Sequence, residues 1–143
     1  MTDPINTAIS QRFYAPGEVL VPQWGKLGTL FVLKSGEVEV ERDGNVIART
    51  DQAGTLFGEM SVLLDRPHSA SVRAVGPVEA YVIANPLQVL EARPAWTLQL
   101  ARLLAQRLAT TTAALLASRD EDGLPEQLIV PEHIMAQLGD PQV

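Results

Sequence analysis

The sequence predicts a mainly β domain, an antiparallel barrel or roll, closed by a short helix and followed by C-terminal helices. Three observations carry that prediction. Between about Arg12 and Ala84 the chain is rich in Gly and Val and is broken by turn residues every few positions, the pattern of many short strands. From Pro94 to Arg119 there is no Gly and no internal Pro, the pattern of one long helix. The length of 143 residues, with 46% hydrophobic and 20% charged residues, suits one ordinary domain with a real core.

The elements follow in order. Leu30-Phe31-Val32-Leu33-Lys34 is a short apolar run ended by the turn signal Ser35-Gly36. Glu37-Val38-Glu39-Val40-Glu41 alternates strictly, which places the valines on one face of a strand and the glutamates on the other. Asp43-Gly44-Asn45 supplies a hairpin turn, and Val46-Ile47-Ala48-Arg49 resumes the sheet. Gly58 permits a sharp turn into a short helix over Glu59–Leu64, with an acid in its first turn. Pro67 and small residues lead back into a strand. Residues 70–75 and 78–84 then flank Gly76-Pro77 as a further strand pair.

The long helix starts on Pro94, a position where the first N–H has no helical partner in any case. At 94–119 it would span roughly 39 Å. Ala101, Leu104, Leu108, Thr111 and Leu115 form one stripe, widened by Leu100, Leu103 and Leu116. A helix so long beside a small roll has length to spare for a second chain, so a homodimer through 94–119 is expected. In the tail, Pro131 and Gly139 bracket about two helical turns with Ile134, Met135 and Leu138 on one side, read as a capping helix.

Charge and composition narrow the function. Residues 1–119 carry 11 Lys and Arg against 11 Asp and Glu, whereas 120–143 carry six acids and no base, so the whole net charge of −6 lies in the tail. A neutral body with an acidic tail has no electrostatic footprint for nucleic acid or an anionic membrane, and neither is an expected partner. No run is apolar enough for a membrane span, and no secretory signal opens the chain. Cys is absent, which excludes disulfides and thiolate metal sites and suits the cytoplasm. With two histidines, His68 and His133, no imidazole-rich metal site can be assembled. No nucleophile–base set and no glycine-rich triphosphate loop is evident, so an enzyme is not expected and no catalytic residue is assigned.

The chemistry is concentrated in Gly54–Val72. A glycine-started helix offers free N–H groups to an anion, and the carboxylate of Glu59 beside it accepts hydrogen bonds from hydroxyls. A phosphate attached to a sugar satisfies both demands; a short helix closing the end of a roll, with Glu59 complementing its dipole, satisfies the same spacing. Phe57-Gly58-Glu59-Met60 followed by Pro67-His68-Ser69-Ala70-Ser71-Val72 resembles the phosphate-binding cassette of the cyclic nucleotide-binding domain family, the module shared by catabolite activator protein and protein kinase A regulatory subunits. Phe13, Gly17-Glu18-Val19-Leu20, Gly25 and residues 30–38 match the family's β-roll, and 87–92 with 94–119 look like its two C-terminal helices.

The resemblance covers about residues 11–119. It implies a mainly β fold with α, an antiparallel, double-stranded jelly-roll-like β-roll over 11–84 with a short phosphate-binding-cassette helix, helices over 87–119, a lead-in over 1–10 and an acidic tail over 120–143. It implies cAMP or cGMP as ligand, no further cofactor and no metal, with Phe57, Gly58, Glu59, Met60, His68, Ser69 and Ala70 at the site. The counterpart of Glu59 binds the ribose 2′-hydroxyl; where the family has an arginine on the cyclic phosphate, this chain has His68. The resemblance further implies a regulatory sensor that couples nucleotide binding to movement of a C-terminal helix and acts through an effector protein. A ligand-independent dimerisation module with the same fold is the alternative, and the 24 residues after Arg119, six of them acidic and none basic, are not expected to form a helix-turn-helix. Trp24 is expected to pack on its own roll and Trp96 to anchor the long helix. Met60, Val62 and Leu63 are expected in the core, with Met60 at the ligand's edge.

Overall fold

A computed structural model of the chain describes residues 8–118. The tail helix expected over 131–139 lies outside them. The order is β1 (Ile9–Tyr14), β2 (Val19–Val21), β3 (Leu30–Ser35), β4 (Val38–Arg42), β5 (Asn45–Thr50), β6 (Leu56–Phe57), α1 (Glu59–Leu64), β7 (Ser71–Ala74), β8 (Val78–Ile83), α2 (Pro86–Ala92) and α3 (Pro94–Ser118). Residues up to Thr97 form one compact unit and those from Leu98 a second.

In the first unit two four-stranded sheets run in the orders β1-β8-β3-β6 and β2-β7-β4-β5. All their pairings are antiparallel. Alternation decides which side chains are inside. Along β8, Val78, Ala80 and Val82 are buried while Glu79, Tyr81 and Ile83 are half-buried. These three join Tyr14, Phe31, Leu33 and Phe57 from their own sheet and Leu20, Val21, Val38, Val72 and Ala74 from the other in one apolar cluster. The inner faces of the two sheets therefore share a core, as a β-roll requires.

The expected hairpin between β4 and β5 is present, with Arg42 opposite Asn45 and a two-residue turn between them. Asp43 and Gly44 both take positive φ, at 53° and 82°, the condition for a turn whose twist matches the strands. The other expected pair is corrected. The strands on either side of Gly76-Pro77 exist, but β7 pairs with β2 and β4 whereas β8 pairs with β1 and β3. Gly76-Pro77 is a corner that moves the chain from one sheet to the other, and Ser35-Gly36 between β3 and β4 is the same kind of corner. The two corners meet: the Val75 N–H donates to the Glu37 carbonyl at 2.9 Å.

Tyr14 is buried, yet its hydroxyl has no hydrogen-bond partner among the described residues. Burial also pushes its pKa up, opposed by Arg12. An unpaired buried hydroxyl costs free energy that an apolar ring does not. Tyr14→Phe is therefore expected to leave stability unchanged or raise it by up to about 1 kcal/mol in urea denaturation; a clear loss would mean that the hydroxyl is satisfied in solution.

From Leu98 onward the described part is the remainder of α3. Leu98, Leu103, Leu108, Leu115 and Leu116 are exposed. Within the expected stripe only Leu104 is half-buried; Ala101, Leu108, Thr111 and Leu115 face solvent. No described helix is long and apolar enough to cross a membrane.

Candidate functional site

β6 delivers the chain to Gly58, with Phe57 paired to Phe31 and buried in the core. Gly58 caps α1 at φ 91°, and a Cβ there would come within 2.8 Å of the Thr29 carbonyl oxygen and 3.6 Å of the His68 Cε1. Both the dihedral and the close approach exclude a side chain. α1 then turns its polar residues inward. Glu59 and Ser61 are 5% and 4% exposed, while Met60, Leu63 and Leu64 are 43%, 40% and 55% exposed. This corrects the expectation that Met60 and Leu63 belong to the core. A helix that buries a carboxylate and exposes leucines is not placed by apolar burial alone.

The loop between β2 and β3 holds the segment after α1. His68 N–H donates to the Gly25 carbonyl and Trp24 N–H donates to the His68 carbonyl, each at 2.8 Å. The Gln23 N–H donates to Ser71 Oγ at 2.7 Å, and Lys26 Nζ pairs with Asp65 at 2.6 Å. Ser61 Oγ donates to the Arg66 carbonyl, closing the turn after the helix. Trp24 is 71% exposed and sits at φ 71°, so it does not pack on the roll as expected. Its N–H is tied to the His68 carbonyl, while its indole lies outside. Trp96 is also exposed, with the Arg93 guanidinium 5.3 Å from its ring centre, and does not act as a buried anchor.

His68 is the centre of the arrangement. It is 4% exposed, and its Nε2 has no hydrogen-bond partner among the described residues. Burial pushes its pKa below the ordinary imidazole value, while the Glu59 carboxylate is near enough to pull it back up. Thr29 Oγ1, on the residue whose carbonyl faces Gly58, is likewise buried without a partner. Buried polar atoms are normally satisfied, so an orphan imidazole nitrogen on the residue beside a buried carboxylate marks a place built for polar contact.

Of the residues expected at the site, Gly58, Glu59 and His68 come together. Ala70 is half-buried, Ser69 and Met60 are exposed, and Phe57 serves the core. Thr29 and the Trp24-Gly25 clamp were not anticipated from the sequence, since they lie far from the cassette along the chain and nothing in their spacing links them to it. A cavity of about 350 Å³ lies elsewhere, lined by Lys26, Gly28, Ser61, Val62, Asp65 and the start of α2. None of the expected site residues lines it. Among the described residues no group of three or more His, Asp or Glu is placed to hold a metal ion.

Known proteins place this geometry. The acetyltransferase Pat of Mycolicibacterium smegmatis is 31% identical over 111 residues, 75% of this chain and 33% of its own length. A cGMP-dependent protein kinase of Eimeria tenella is 32% identical over 83 residues, 58% of this chain and 8% of its own. The crystal structure of Thermus thermophilus catabolite activator protein superposes with a TM-score of 0.67 at 30% identity, covering 76% of this chain and 54% of that one. The chain thus spans a third or less of these two curated relatives. A family model described as the cyclic nucleotide-binding domain matches residues 11–87, and with the two-sheet roll and the buried Glu59–His68 pair the chain belongs to the cyclic nucleotide-binding domain family.

Proposed function

We propose that this domain is a regulatory sensor that binds cAMP or cGMP in the β-roll, with the sugar phosphate held at Gly58, Glu59 and His68. The observation that carries the reading is the buried carboxylate of Glu59 beside the buried imidazole of His68, whose Nε2 lacks a partner. In this reading Glu59 accepts the ribose 2′-hydroxyl, and the amides at the start of α1 and the His68 Nε2 face the phosphate. Ala70 and Ser69 border it. The orphan Nε2 favours the sensor over a ligand-independent module, because a buried donor or acceptor without a partner costs stability unless a ligand satisfies it.

The output is movement of the C-terminal helix, passed to an effector protein. A second copy of the chain docks along Pro94–Ser118, where Leu98, Leu103, Leu108, Leu115 and Leu116 are exposed. The domain itself binds rather than catalyses, does not act on DNA and works in the cytoplasm. Sedimentation of the full chain at monomer mass would remove the dimer from this scheme.

Thermal denaturation with each nucleotide tests the central claim. A ligand that binds only the native state stabilises it by about 2.7 kcal/mol at a hundred times Kd. One of the two nucleotides is expected to raise the melting temperature progressively with concentration, and Glu59→Gln to diminish that rise. An unmoved melting point with both, up to millimolar concentration, would overturn the sensor.

A further inference from the structure

We propose that the site takes up a proton with its ligand: the cyclic nucleotide is held by the His68 imidazolium, so affinity rises as the solution becomes more acidic and the domain reads nucleotide and acidity together. This rests on the reading above, that a cyclic phosphate meets His68.

The argument starts from charge. A cyclic phosphodiester is a permanent anion, and here it would enter beside a buried carboxylate, Glu59, which is 5% exposed. Two anions in a poorly solvated site repel strongly unless a cation lies between them. Four of the described basic side chains are engaged with carboxylates of their own: Lys26 with Asp65, Lys34 with Glu79, Arg49 with Glu39 and Arg73 with Glu41. Arg66 is exposed and precedes Pro67. The group already in place beside Glu59 is His68, whose Nε2 is buried with no partner among the described residues and whose main chain is clamped from both sides by the β2–β3 loop.

Among the described residues the charge that acts on the imidazole is Glu59 of α1, and Gly58 lies against its Cε1. The β2–β3 loop bonds the main chain of His68 through Trp24 and Gly25, and Arg66 stands two residues before it along the chain. In the free protein burial outweighs Glu59 and holds the ring's pKa below the ordinary imidazole value. Adding a phosphate anion beside Nε2 places a second negative charge against the ring and shifts its proton affinity up. A group whose pKa is higher in the complex than in the free protein strengthens binding as pH falls through the interval between the two values. Inside that interval the expected dependence is about tenfold in Kd per pH unit, with one proton taken up per nucleotide.

Calorimetric titration of the full chain with cAMP and with cGMP at pH 6, 7 and 8, in two buffers of different ionisation enthalpy, reads both quantities. The wild type is expected to bind more tightly at pH 6 than at pH 8 by tenfold or more, with an apparent enthalpy that differs between buffers by close to one ionisation. His68→Gln, which keeps a donor but no titratable group, is expected to show neither effect. His68→Arg is expected to bind at all three pH values with no proton uptake. Nucleotide binding by the wild type that is flat with pH and independent of buffer would overturn the proton linkage while leaving the sensor standing. Absence of binding by both the wild type and His68→Arg at pH 6 would overturn the sensor, and the linkage with it.

Discussion

His68→Arg is expected to tighten cyclic nucleotide binding by about 10- to 150-fold at pH 8. A hydrogen bond to a charged group contributes about 1.5–3 kcal/mol net, which converts to that range of Kd. At pH 8 the buried imidazole is neutral, since burial lowers its pKa, and it meets the phosphate as an uncharged partner. Arginine carries a permanent charge and a planar fork suited to phosphate oxygens. The advantage should shrink as pH falls and the wild-type ring becomes charged. The backbone tolerates the exchange because it is set by main-chain bonds to Trp24 and Gly25, not by the imidazole. Calorimetry at pH 8 that shows equal or weaker binding by the variant would mean that the side chain at 68 does not reach a phosphate.

The largest expected loss of stability comes from Gly36→Ala. Gly36 sits at φ 95°, a conformation that L-residues adopt only with strain. A Cβ there would overlap the Pro77 carbonyl oxygen and lie 3.0 Å from both Cα and Cγ2 of Val78. The obstacle is backbone, and Val78 itself belongs to the shared core, so neither side can yield cheaply. The two corners at which the chain changes sheets would have to part. A cost of about 3 kcal/mol or more is expected, in the class of substitutions that combine backbone strain with a steric clash. For a domain of this size that lowers the melting temperature by roughly 12 °C. Gly44→Ala makes the comparison: it shares the positive φ but meets nothing within 4 Å, so its loss should be clearly smaller. Equal losses at both positions would show that the corner contact contributes nothing.

The legible parts of the fold are those set by neighbours along the chain. Val38 and Val40 alternate with glutamates because a strand has period two, and Val38 is fully buried as that pattern requires. Asp43-Gly44 announced its turn because few residues accept positive φ twice in succession. The short helix over Glu59–Leu64 and the long one from Pro94 were visible for the same local reasons. The partner of each strand was not. Gly76-Pro77 carries the same signal whether the chain folds back on its own sheet or crosses to the other, and the sheet order decides between them.

The site divides along the same line. Sequence alone determined that a glycine, a carboxylate and a histidine stand at set intervals around a short helix, and that histidine replaces the permanent charge the family resemblance leads one to expect. Tertiary structure alone decided the environment of those groups. It buried Glu59 and His68 together, sent Met60 and Leu63 outward, and brought the Trp24-Gly25 loop across to clamp His68. The reason is physical: spacing along a chain sets which groups can share a face, whereas burial and charge compensation depend on segments remote in sequence that meet only when the roll has closed.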